Sequence, residues 1–584
     1  MMDLAAPAHV ERPPESWRQR LIRKLLFGAD VDRNAKARAR VGFAIVGFLM
    51  VYGLIAFKLV MFAVAPEGRG ERRTIAQDAT ATARPDILDR NGEILATDVK
   101  APSLYGEPRH IIDKDEAIEL LTATLPDLDS AEARQRLSGR KGFVWLKRDI
   151  TPQQQLDIHR LGLPGIGFLR ENKRVYPNGP EVSHLIGLVN IDNQGIAGIE
   201  KWLDTNGLAD LHRAGFATDR LQRPIELAVD VRVEHALRDE LLEAKEHFHA
   251  KAASGIVANV KTGEIVAMVS LPDFDPNSPK QANDPDRINR LTTGVYEMGS
   301  TFKAFTLAMA LDSGKVGLDS MWDARAPLHY GKFTIHDDHP MGRFLSMKEV
   351  FTYSSNIGAA RIALAQGVEA HKAFLRKMGQ LERLRTELPE SASPIVPRHW
   401  GELNTVTIAF GHGLSVAPLQ AVMGINALAN GGLLIPPTFL KRSEQQARAV
   451  ATRVIKQDTS DKMRFLMRLN AEVGTAKKAD VPGYYVGGKT GTAEKVINGH
   501  YAKKRVLNAF TAILPADDPK YQILIMLDEP QPLKETYGFI TSGWNAVPTG
   551  GKVIARIAPL LGIQPRFDLP PPDRLILAAS RETR

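Results

Sequence analysis

Apolar residues form one long, nearly unbroken run near the start of the 584-residue chain. The run spans residues 41–65 and reads VGFAIVGFLMVYGLIAFKLVMFAVA, with Lys58 as its single charged residue. It is long enough for a helix that crosses a bilayer, and the lysine stem, towards the end of the run, can reach the interface. The pattern predicts a membrane-spanning helix over residues 41–65.

The end of this run offers a second interpretation, because Ala63-Val64-Ala65 resembles a signal-peptidase site. The apolar stretch is too long for a cleaved signal and the region before it is too extended, which favours an uncleaved anchor. Six Lys or Arg residues lie in the twenty positions before the run and four in the twenty after it. This bias predicts a cytoplasmic tail over residues 1–40 and places the bulk of the chain outside the cytoplasm.

A shorter amphipathic pattern precedes the anchor, in ESWRQRLIRKLLF, residues 15–27. Trp17, Leu21 and Leu25 recur every fourth residue among arginines. This spacing predicts a short basic helix on the inner membrane surface. An unstructured cationic tail is the alternative.

Beyond the anchor, alternating and helical apolar patterns predict a mixed α+β chain. A polar linker, residues 69–83, is followed by ILDRNGEILA, in which Asn91-Gly92 predicts a hairpin turn. Residues 225–236 change to a strand-to-helix pattern, and residues 252–270 read as strand, turn and strand. We therefore expect a pedestal domain over 66–224, a larger domain over 225–565, and a Pro-rich tail over 566–584 that is disordered or docks.

Composition and charge narrow the classes of function. The chain is 44% hydrophobic and 24% charged, as globular proteins are, and its net charge is +9. Nine basic and five acidic residues lie in the first forty positions, so part of the excess belongs to a short tail. Because no nucleic-acid-binding motif is present either, we expect no nucleic-acid partner. The absence of cysteine excludes disulfides and thiolate catalysis, and it suits an exported protein.

The candidate chemistry begins at YEMGSTFK, residues 296–303, at the head of a helix-forming run that ends at Gly314. Residues three apart share a face of a helix, so Ser300 and Lys303 point into the same space. A neutral lysine there could take the proton of the serine hydroxyl and activate it as a nucleophile. Because an S-x-x-K pair is common by chance, its meaning depends on the rest of the chain.

Two further motifs follow the serine. Ser354-Ser355-Asn356 precedes an amphipathic helix, where a plain helix cap is the alternative. The run YYVGGKTGTAEK carries Lys489-Thr490-Gly491-Thr492 on a predicted strand, where a glycine lets a substrate backbone approach a sheet edge. A second Lys-Thr-Gly, residues 261–263, precedes the serine and lies in a predicted hairpin turn, so we interpret it as structural.

The motifs S-x-x-K, S-x-N and K-T-G, in this order, resemble those of penicillin-binding proteins and serine β-lactamases. The stretches RPDILDRNGEILA, RVYPNGPEVSHLIGLVN, GIAGIEKWLD and GHGLSVAPLQAVMGINALANGG extend the resemblance to class B penicillin-binding proteins, over residues 84–562. Within that class the chain resembles the division-specific (septal) transpeptidases, because elongation-type relatives more often carry Asp at the Asn356 position. It departs from the class at Arg84-Pro85, usually Arg-Gly, and at Asn508-Ala509, usually Ala-Ser.

The resemblance implies a membrane-anchored peptidoglycan D,D-transpeptidase. Its second domain would be a penicillin-binding, β-lactamase-like fold with an antiparallel sheet flanked by helices. The substrate would be the D-Ala-D-Ala end of a stem peptide, β-lactams would acylate the same serine, and no metal or cofactor is expected. The resemblance implies that Ser300 is the nucleophile, Lys303 its base and Ser354 a proton relay. Asn356 would bind the substrate amide, Lys489, Thr490 and Thr492 would bind the terminal carboxylate, and Ser355 and Gly491 would lie on the substrate side. The N–H groups of Ser300 and Thr492 would form the oxyanion hole.

For the base, the resemblance implies a pKa lowered by a helix N-terminus, by burial and by the Lys489 cation. The implied partners are the membrane, a septal glycosyltransferase and other division membrane proteins. The alternatives are an elongation-type transpeptidase, a hydrolase of the carboxypeptidase or β-lactamase type, and a non-enzymatic scaffold. The anchor and the pedestal argue against a hydrolase, and the retained motif residues argue against a scaffold.

One near-match bears on the hydrolase alternative. Residues 402–404 read Glu-Leu-Asn, as in the Glu-x-Glu-Leu-Asn loop of class A β-lactamases. In those enzymes the first glutamate activates the water that releases the acylated serine. Here that position is Trp400, whose indole cannot accept a proton. We interpret the match as chance.

Overall fold

The computed structural model describes residues 16–27, 33–64, 84–139, 142–207, 223–331, 333–497, 499–568 and 571–572. These residues belong to two compact units, Met1–Asp78 and Ala79–Arg584. The predicted linker, residues 69–83, and most of the Pro-rich tail lie outside the described residues.

The first unit contains the helices Trp17–Phe27 and Arg33–Val64. Both segments predicted to be helical in this region are therefore helices, and the second helix begins within the basic stretch before the apolar run. Its part Val41–Lys58 is long and apolar enough to cross a membrane, and none of it is buried against protein. A helix with apolar side chains on all faces needs an apolar environment, which a bilayer would supply.

In the second unit, the pedestal region contains a mixed five-stranded sheet. Its strands are Ile87–Leu88, Ile94–Gly106, Val144–Lys147, Ile166–Val175 and Ile225–Glu226. The predicted Asn91-Gly92 hairpin is confirmed, because Ile87 pairs with Ala96 in antiparallel register and Gly92 takes a φ of +91°. The Asp89 carboxylate accepts a hydrogen bond from the Asn91 N–H at 2.7 Å, which fixes the turn.

Three capped helices pack against this sheet. They are Lys114–Thr124, Ser130–Ser138 and Pro152–Arg160, and the capping side chains are those of Asp113, Asp129 and Thr151. Leu104 of the sheet and Leu121 and Leu137 of the helices are fully buried together. The shorter elements of the region are the helices Ser183–Ile186 and Gly198–Trp202, the π-helical turn Leu203–Gly207, and the strands Leu188–Val189 and Gly195–Ala197.

A group of ion pairs around two buried arginine side chains, here called the arginine network, ties the pedestal region together. It consists of Arg84, Arg174, Asp98, Glu200 and Asp204. Arg174 donates from Nε to Glu200 at 2.6 Å and from Nη1 to Asp98 at 3.1 Å. Arg84 donates from Nε to Glu200 at 2.8 Å and from Nη1 to Asp204 at 2.6 Å. Each buried cation therefore meets two carboxylates.

The Arg84-Pro85 departure is compatible with this network. The Arg84 N–H donates to Asp98 at 2.8 Å, and the Pro85 carbonyl accepts from Arg174 Nη2 at 2.9 Å. Proline removes a backbone N–H but keeps its carbonyl, so the hydrogen bond that the network uses is retained.

The larger region is built on a five-stranded antiparallel sheet, here called the central sheet. Its strands lie in the spatial order Gly487–Ile497, His500–Leu514, Tyr521–Asp528, Ala252–Asn259 and Ile265–Leu271. The predicted strand–turn–strand over 252–270 is confirmed, and residues 261–263 lie in its turn, where Gly263 has a φ of +71°. The strand Gly487–Ile497, here called the edge strand, pairs with a neighbour on one side only.

Helices cover both faces of the central sheet, because neighbouring residues of a strand point to opposite faces. Ile523 and Ile525 pack with the helices Val231–His247 and Ala546–Leu560. Leu524 and Met526 pack with the helices Lys303–Asp312, Pro418–Ala429 and Gln457–Val473 on the other face. The predicted antiparallel sheet flanked by helices is therefore confirmed.

The chain passes between the two sheets at the predicted strand-to-helix change. The strand Ile225–Glu226 pairs in parallel with Ile87–Leu88 of the pedestal sheet, and the helix Val231–His247 packs on the central sheet. At the other end, the Arg566 N–H donates to the Gly483 carbonyl at 2.8 Å, so the described start of the Pro-rich tail docks on the domain.

The larger region also contains several shorter elements. The helices are Met347–Thr352, Asn356–Gln366, Val368–Lys377, Glu402–Ile408 and Glu444–Val450, with 3-10 turns at Pro279–Gln281, Pro285–Arg287, Gly299–Phe302, Lys477–Ala479 and Ser542–Trp544. The short strands are Met321–Asp323, Leu328–Tyr330, Phe333–Ile335, Phe344–Ser346, Leu433–Leu434 and Thr452–Arg453.

Candidate active site

The predicted serine and lysine lie at the start of one helix. The 3-10 turn Gly299–Phe302 carries Ser300 and leads directly into the helix Lys303–Asp312, here called the nucleophile helix. Lys303 Nζ lies 2.9 Å from Ser300 Oγ, so the shared face expected from the spacing is confirmed. Ser300 is half-buried, whereas Lys303 is fully buried.

Two glycines make room for the turn that carries the serine. Gly299 has a φ of +53°, and a Cβ on it would lie 2.5 Å from the Thr492 carbonyl oxygen. Gly411 has a φ of +94°, and a Cβ there would lie 1.8 Å from the Gly299 carbonyl oxygen. These backbones touch, so a side chain at either glycine would displace Ser300.

The turn Ser354-Ser355-Asn356, here called the SSN turn, lies across the site from the serine. Ser354 has a φ of +58°, which is uncommon for a residue other than glycine. Its hydroxyl lies between the two lysines, with Oγ 3.1 Å from Lys303 Nζ and 2.9 Å from Lys489 Nζ. The position suits a group that passes a proton between its neighbours.

Asn356 is held by both ends of its amide. Its Oδ1 accepts from Lys303 Nζ at 2.7 Å, and its Nδ2 donates to the His336 carbonyl at 2.9 Å. The carbonyl contact fixes the orientation of the amide, because a carbonyl can only accept. One N–H of Nδ2 remains for a further acceptor.

The surroundings of Lys303 can accommodate a neutral amine with a directed lone pair. Its Nζ contacts the Ser354 carbonyl and Asn356 Oδ1, and both of these oxygens can only accept. A neutral amine has two N–H groups, which these two contacts use. The lone pair is then left for the hydroxyl side, where Ser300 Oγ lies. This is the arrangement that a general base for the serine requires.

Burial lowers the pKa of Lys303 to about 7, and the carboxylates of Asp337 and Asp338 partly oppose this effect. Burial also lowers the pKa of Lys489 well below its ordinary value, and repulsion from Lys303 adds to the effect. Of the three causes expected to lower the pKa of Lys303, burial is therefore the largest. A neutral Lys303 is available near pH 7.

The edge strand supplies the third motif. Lys489 is fully buried and bonds to Ser354, as expected for a residue that faces the site. The Thr490 hydroxyl lies 2.8 Å from the hydroxyl of Thr475. Gly491 serves a close approach within the chain itself, and the expected approach of a substrate backbone stays a prediction. A Cβ on Gly491 would lie 2.6 Å from the Met298 carbonyl oxygen, so this glycine makes room for the serine segment itself.

Thr492 ends the motif beside the nucleophile. The position of a Cβ on Gly299 is 3.1 Å from the Thr492 backbone nitrogen, which places this amide next to Ser300, where the oxyanion hole is expected. The Thr492 hydroxyl accepts from the Ser542 N–H at 3.1 Å. The sequence alone gave no sign of this contact.

The Asn508 departure supports the same corner of the site. Asn508 lies opposite Thr492 in the sheet register and is fully buried. Its Nδ2 donates to the Ile540 carbonyl at 2.6 Å and to Asn545 Oδ1 at 2.9 Å. These bonds tie the sheet to the segment that contains Ser542.

Ser355 does not join the other predicted site residues. It is buried, its hydroxyl donates to Asp337 Oδ2 at 2.7 Å, and it accepts from the Gly358 N–H at 2.9 Å. It is the N-cap of the helix Asn356–Gln366, so the helix-cap alternative describes its side chain. The structure gives it no surface for a direct substrate contact. Asp337 is a residue that sequence reasoning missed, and its only sequence signal is the acidic pair before the motif.

The two competing motif matches lie apart from this constellation. Residues 261–263 occupy the turn between two strands of the central sheet. The Trp400 indole N–H donates to Thr405 Oγ1 at 2.9 Å, and Glu402 is exposed in the first turn of its helix. Within the described ranges, neither Trp400 nor Glu402 contacts Ser300. Within those ranges, no group of three His, Asp or Glu side chains is placed to hold a metal ion.

Comparison with known proteins agrees with this fold. Residues 253–543 match the family described as penicillin binding protein transpeptidase domain, and residues 79–205 match the penicillin-binding protein dimerisation domain. The crystal structure of penicillin binding protein 3 from Mycobacterium tuberculosis, complexed with aztreonam, shares the fold with a TM-score of 0.63. The two chains are 23% identical, over 84% of this chain and 98% of that one.

Two relatives are similar over most of their length. A probable peptidoglycan D,D-transpeptidase FtsI from Caulobacter vibrioides is 40% identical, over 90% of this chain and 88% of the relative. Peptidoglycan D,D-transpeptidase FtsI from Escherichia coli K12 is 28% identical, over 85% of this chain and 87% of the relative.

The fold and the three motifs together define a serine acyltransferase of the penicillin-recognising class. The chain belongs to the class B penicillin-binding proteins, in which a dimerisation-type domain precedes a peptidoglycan D,D-transpeptidase domain of the FtsI type.

Proposed function

We propose that this protein is a membrane-anchored enzyme that cross-links peptidoglycan stem peptides at the division septum, through an acyl-enzyme on Ser300. The observation that carries the proposal is the position of Lys303 Nζ, which contacts Ser300, Ser354 and Asn356 at once. A buried amine that touches the nucleophile hydroxyl is what base-catalysed acylation requires.

In the first step Lys303 takes the proton of Ser300. The Ser300 Oγ then attacks the carbonyl of the penultimate D-alanine, and a C–O bond forms. The N–H groups of Ser300 and Thr492 stabilise the oxyanion that develops on the carbonyl oxygen. The close contact between Gly299 and Thr492 supports this role, because it holds the edge strand against the serine turn.

The second step expels the terminal D-alanine. The C–N bond breaks, and the leaving amine needs a proton. The Ser354 hydroxyl lies between Lys303 and Lys489, so it can pass the proton from Lys303 to that amine. Lys303 then returns to its neutral form, ready for the next transfer.

Substrate binding is assigned to the edge strand and the SSN turn. The terminal carboxylate is assigned to Lys489, Thr490 and Thr492, because an amine and two hydroxyls on the edge strand can donate hydrogen bonds to it. The free N–H of Asn356 Nδ2 donates to an amide carbonyl of the stem peptide. Gly491 and Ser355 act indirectly, through the packing of the serine segment and of the SSN turn.

The third step is transfer to an amine of a neighbouring stem peptide. The amine nitrogen attacks the ester carbonyl, an N–C bond forms, the C–O bond to Ser300 breaks, and the amine proton returns to Ser300 through Lys303. We expect water to be a poor competitor, because the only match to the hydrolytic loop in the sequence has Trp400 in place of the first glutamate, and an indole cannot accept a proton. The acyl-enzyme should therefore persist until an amine attacks it.

Location and partners are inferred from the anchor and the relatives. The apolar helix Arg33–Val64 supports a single-pass anchor, with a cytoplasmic N-terminus and a periplasmic catalytic domain. The FtsI relatives and the asparagine at position 356 support a division role over an elongation role. A septal glycosyltransferase and other division membrane proteins are the expected partners, because cross-linking needs newly made glycan strands.

Labelling with a fluorescent penicillin tests this function in cells. The relative from Mycobacterium tuberculosis was crystallised with aztreonam, which supports acylation of Ser300 by β-lactams. We expect label at the septum that disappears with Ser300→Ala, and filaments on depletion of the protein. Label along the side wall, with round cells on depletion, would favour the elongation role.

Persistence of the label separates a transpeptidase from a hydrolase. Purified protein should bind penicillin stoichiometrically and keep most of the label after excess drug is removed. Rapid loss of label with steady production of hydrolysed penicillin would instead identify a hydrolase.

A further inference from the structure

The SSN turn has a conformation that something must hold in place. Ser354 has a φ of +58°, in the left-handed region that residues other than glycine seldom adopt. Such a conformation is unfavourable and persists only where the surroundings enforce it. This conformation places the Ser354 hydroxyl and carbonyl on Lys303.

The loop between the strands Phe333–Ile335 and Phe344–Ser346 holds the SSN turn through hydrogen bonds. Asp337 uses both carboxylate oxygens: Oδ2 accepts from Ser355 Oγ at 2.7 Å, and Oδ1 accepts from the Ile357 N–H at 2.9 Å. The neighbouring His336 carbonyl accepts from Asn356 Nδ2 at 2.9 Å. Three consecutive residues after Ser354 are therefore bonded to two consecutive residues of this loop.

Asp337 is placed where a carboxylate is stable. It is 6% exposed, and its Oδ1 accepts from the Ile357 N–H in the first turn of the helix Asn356–Gln366, where the helix dipole favours negative charge. Hydrogen bonds to a charged acceptor are about twice as strong as those between neutral groups. The two bonds therefore make a rigid attachment.

The carboxylate also acts on the catalytic lysine. The charged groups that influence Lys303 are the carboxylates of Asp337 and Asp338, the amine of Lys489, and the ring of His412 if it were protonated. Burial also lowers the pKa of His412, to about 4, so that this ring is neutral at pH 7. Of the two carboxylates that oppose the lowering of the Lys303 pKa by burial, Asp337 has the larger effect.

We infer that Asp337 is a positioning residue for acylation, which holds the SSN turn, and with it Ser354 and Asn356, against Lys303. The inference rests on the proposed function of Ser300 and Lys303. Positioning predicts an effect on the plateau rate of acylation, and the carboxylate opposite Lys303 predicts a separate shift of its acid limb.

The test compares Asp337→Asn with Asp338→Asn in the full chain solubilised in detergent. Both variants remove one carboxylate near Lys303, but Asp338 is exposed and makes no hydrogen bond within the described part of the chain. The readout is the second-order rate constant of acylation by a fluorescent penicillin from pH 5.5 to pH 9. Thermal melts report whether each variant is folded.

For Asp337→Asn we expect a plateau rate lower by about tenfold or more, the loss that one hydrogen bond to a charged group corresponds to. We also expect the acid limb of the profile to move to lower pH, because removing the carboxylate makes the Lys303 ammonium less stable. Asp338→Asn should keep its plateau within about twofold, since no bond to the SSN turn is lost.

A third variant, Ser355→Ala, keeps the charge of Asp337 and removes one of its bonds. It should lower the plateau without moving the acid limb, and the double variant with Asp337→Asn should lose no more than Asp337→Asn alone. An Asp337→Asn plateau equal to wild type, or an acid limb that stays in place, overturns the inference. Failure of the wild-type protein to acylate at Ser300 would instead refute the proposed function.

Discussion

Two regions of this molecule bury basic side chains, and they treat the charge in opposite ways. In the arginine network, Arg174 and Arg84 donate to carboxylates at distances of 2.6–3.1 Å. In the active site, Lys303 and Lys489 are also buried, and within the described residues their hydrogen bonds go to hydroxyl, amide and carbonyl oxygens. The difference is whether a carboxylate is supplied at hydrogen-bond distance.

The residue types match the two tasks. A guanidinium stays protonated in proteins, so a buried arginine needs anions, and paired with them it fixes the architecture. An amine can lose its proton when it is buried without a partner anion, and it then becomes a base. We therefore interpret burial in the pedestal as structural and burial in the catalytic region as the cause of the proposed reactivity. Substitutions in each region test this interpretation.

The largest effect is expected from Lys303→Arg, which would give the active site the kind of cation that the pedestal uses. A guanidinium keeps its charge and cannot take the proton of Ser300, so acylation by penicillin should slow by at least about a hundredfold. Ser300→Ala, which should abolish labelling completely, sets the background of the measurement. A near-normal rate in Lys303→Arg would show that the base lies elsewhere.

In the pedestal, Arg174→Ala should lower the stability of the fold and leave the acylation rate unchanged. It leaves Glu200 and Asp98 buried with one cation fewer, which typically costs about 3–5 kcal/mol of unfolding free energy. Urea unfolding of the solubilised protein measures this loss, and the acylation rate of the folded fraction should be unchanged. The exposed Arg448, paired with Glu444, provides the control, since Arg448→Ala should be nearly neutral.

The pH dependence of the wild-type protein tests the state of Lys303. Its pKa is lowered to about 7, so at lower pH the amine is protonated and cannot accept the Ser300 proton. Acylation should therefore rise with pH through 7, and at pH 6 it should be about tenfold below its plateau. An acid limb near pH 10 would mean that burial does not neutralise this amine.

The smallest effect is expected from removing residues 1–65. The anchor helix and the catalytic region belong to separate compact units, so the truncated protein should be soluble and acylate at a rate within about twofold of the full chain. The same truncation should fail to support septation, because the enzyme is no longer tethered beside its partners. Loss of penicillin binding in the truncated protein would contradict the independence of the two units.

Much of this arrangement could be read from short-range pattern. The i, i+3 spacing of Ser300 and Lys303 gave their contact, because a helical turn fixes it locally. The turn at Asn91-Gly92 and the strand–turn–strand over 252–270 were likewise local. The order of the three motifs then indicated which residues converge.

What could not be read depends on contacts between distant segments. Gly491 makes room for Met298, which is far away in the chain, so the sequence suggested a substrate instead. Ser355 bonds to Asp337 across a loop, and Asn508 bonds to Ile540 across the sheet. No periodicity or spacing rule relates these residues, because only tertiary packing brings them together.

Under the proposed acylation of Ser300 by β-lactams, the contact between Gly411 and Gly299 limits how drug resistance can arise. Selection for lower drug affinity must change the surroundings of Ser300 without ending cross-linking, so it needs positions that tolerate new side chains. At Gly411 a single added carbon would lie 1.8 Å from a neighbouring carbonyl oxygen, which leaves no tolerated substitution. Exposed residues beside the site, such as Tyr353 and Tyr501, have room to vary. Evolution can therefore remodel the rim of this site but not the backbone contact beneath its serine.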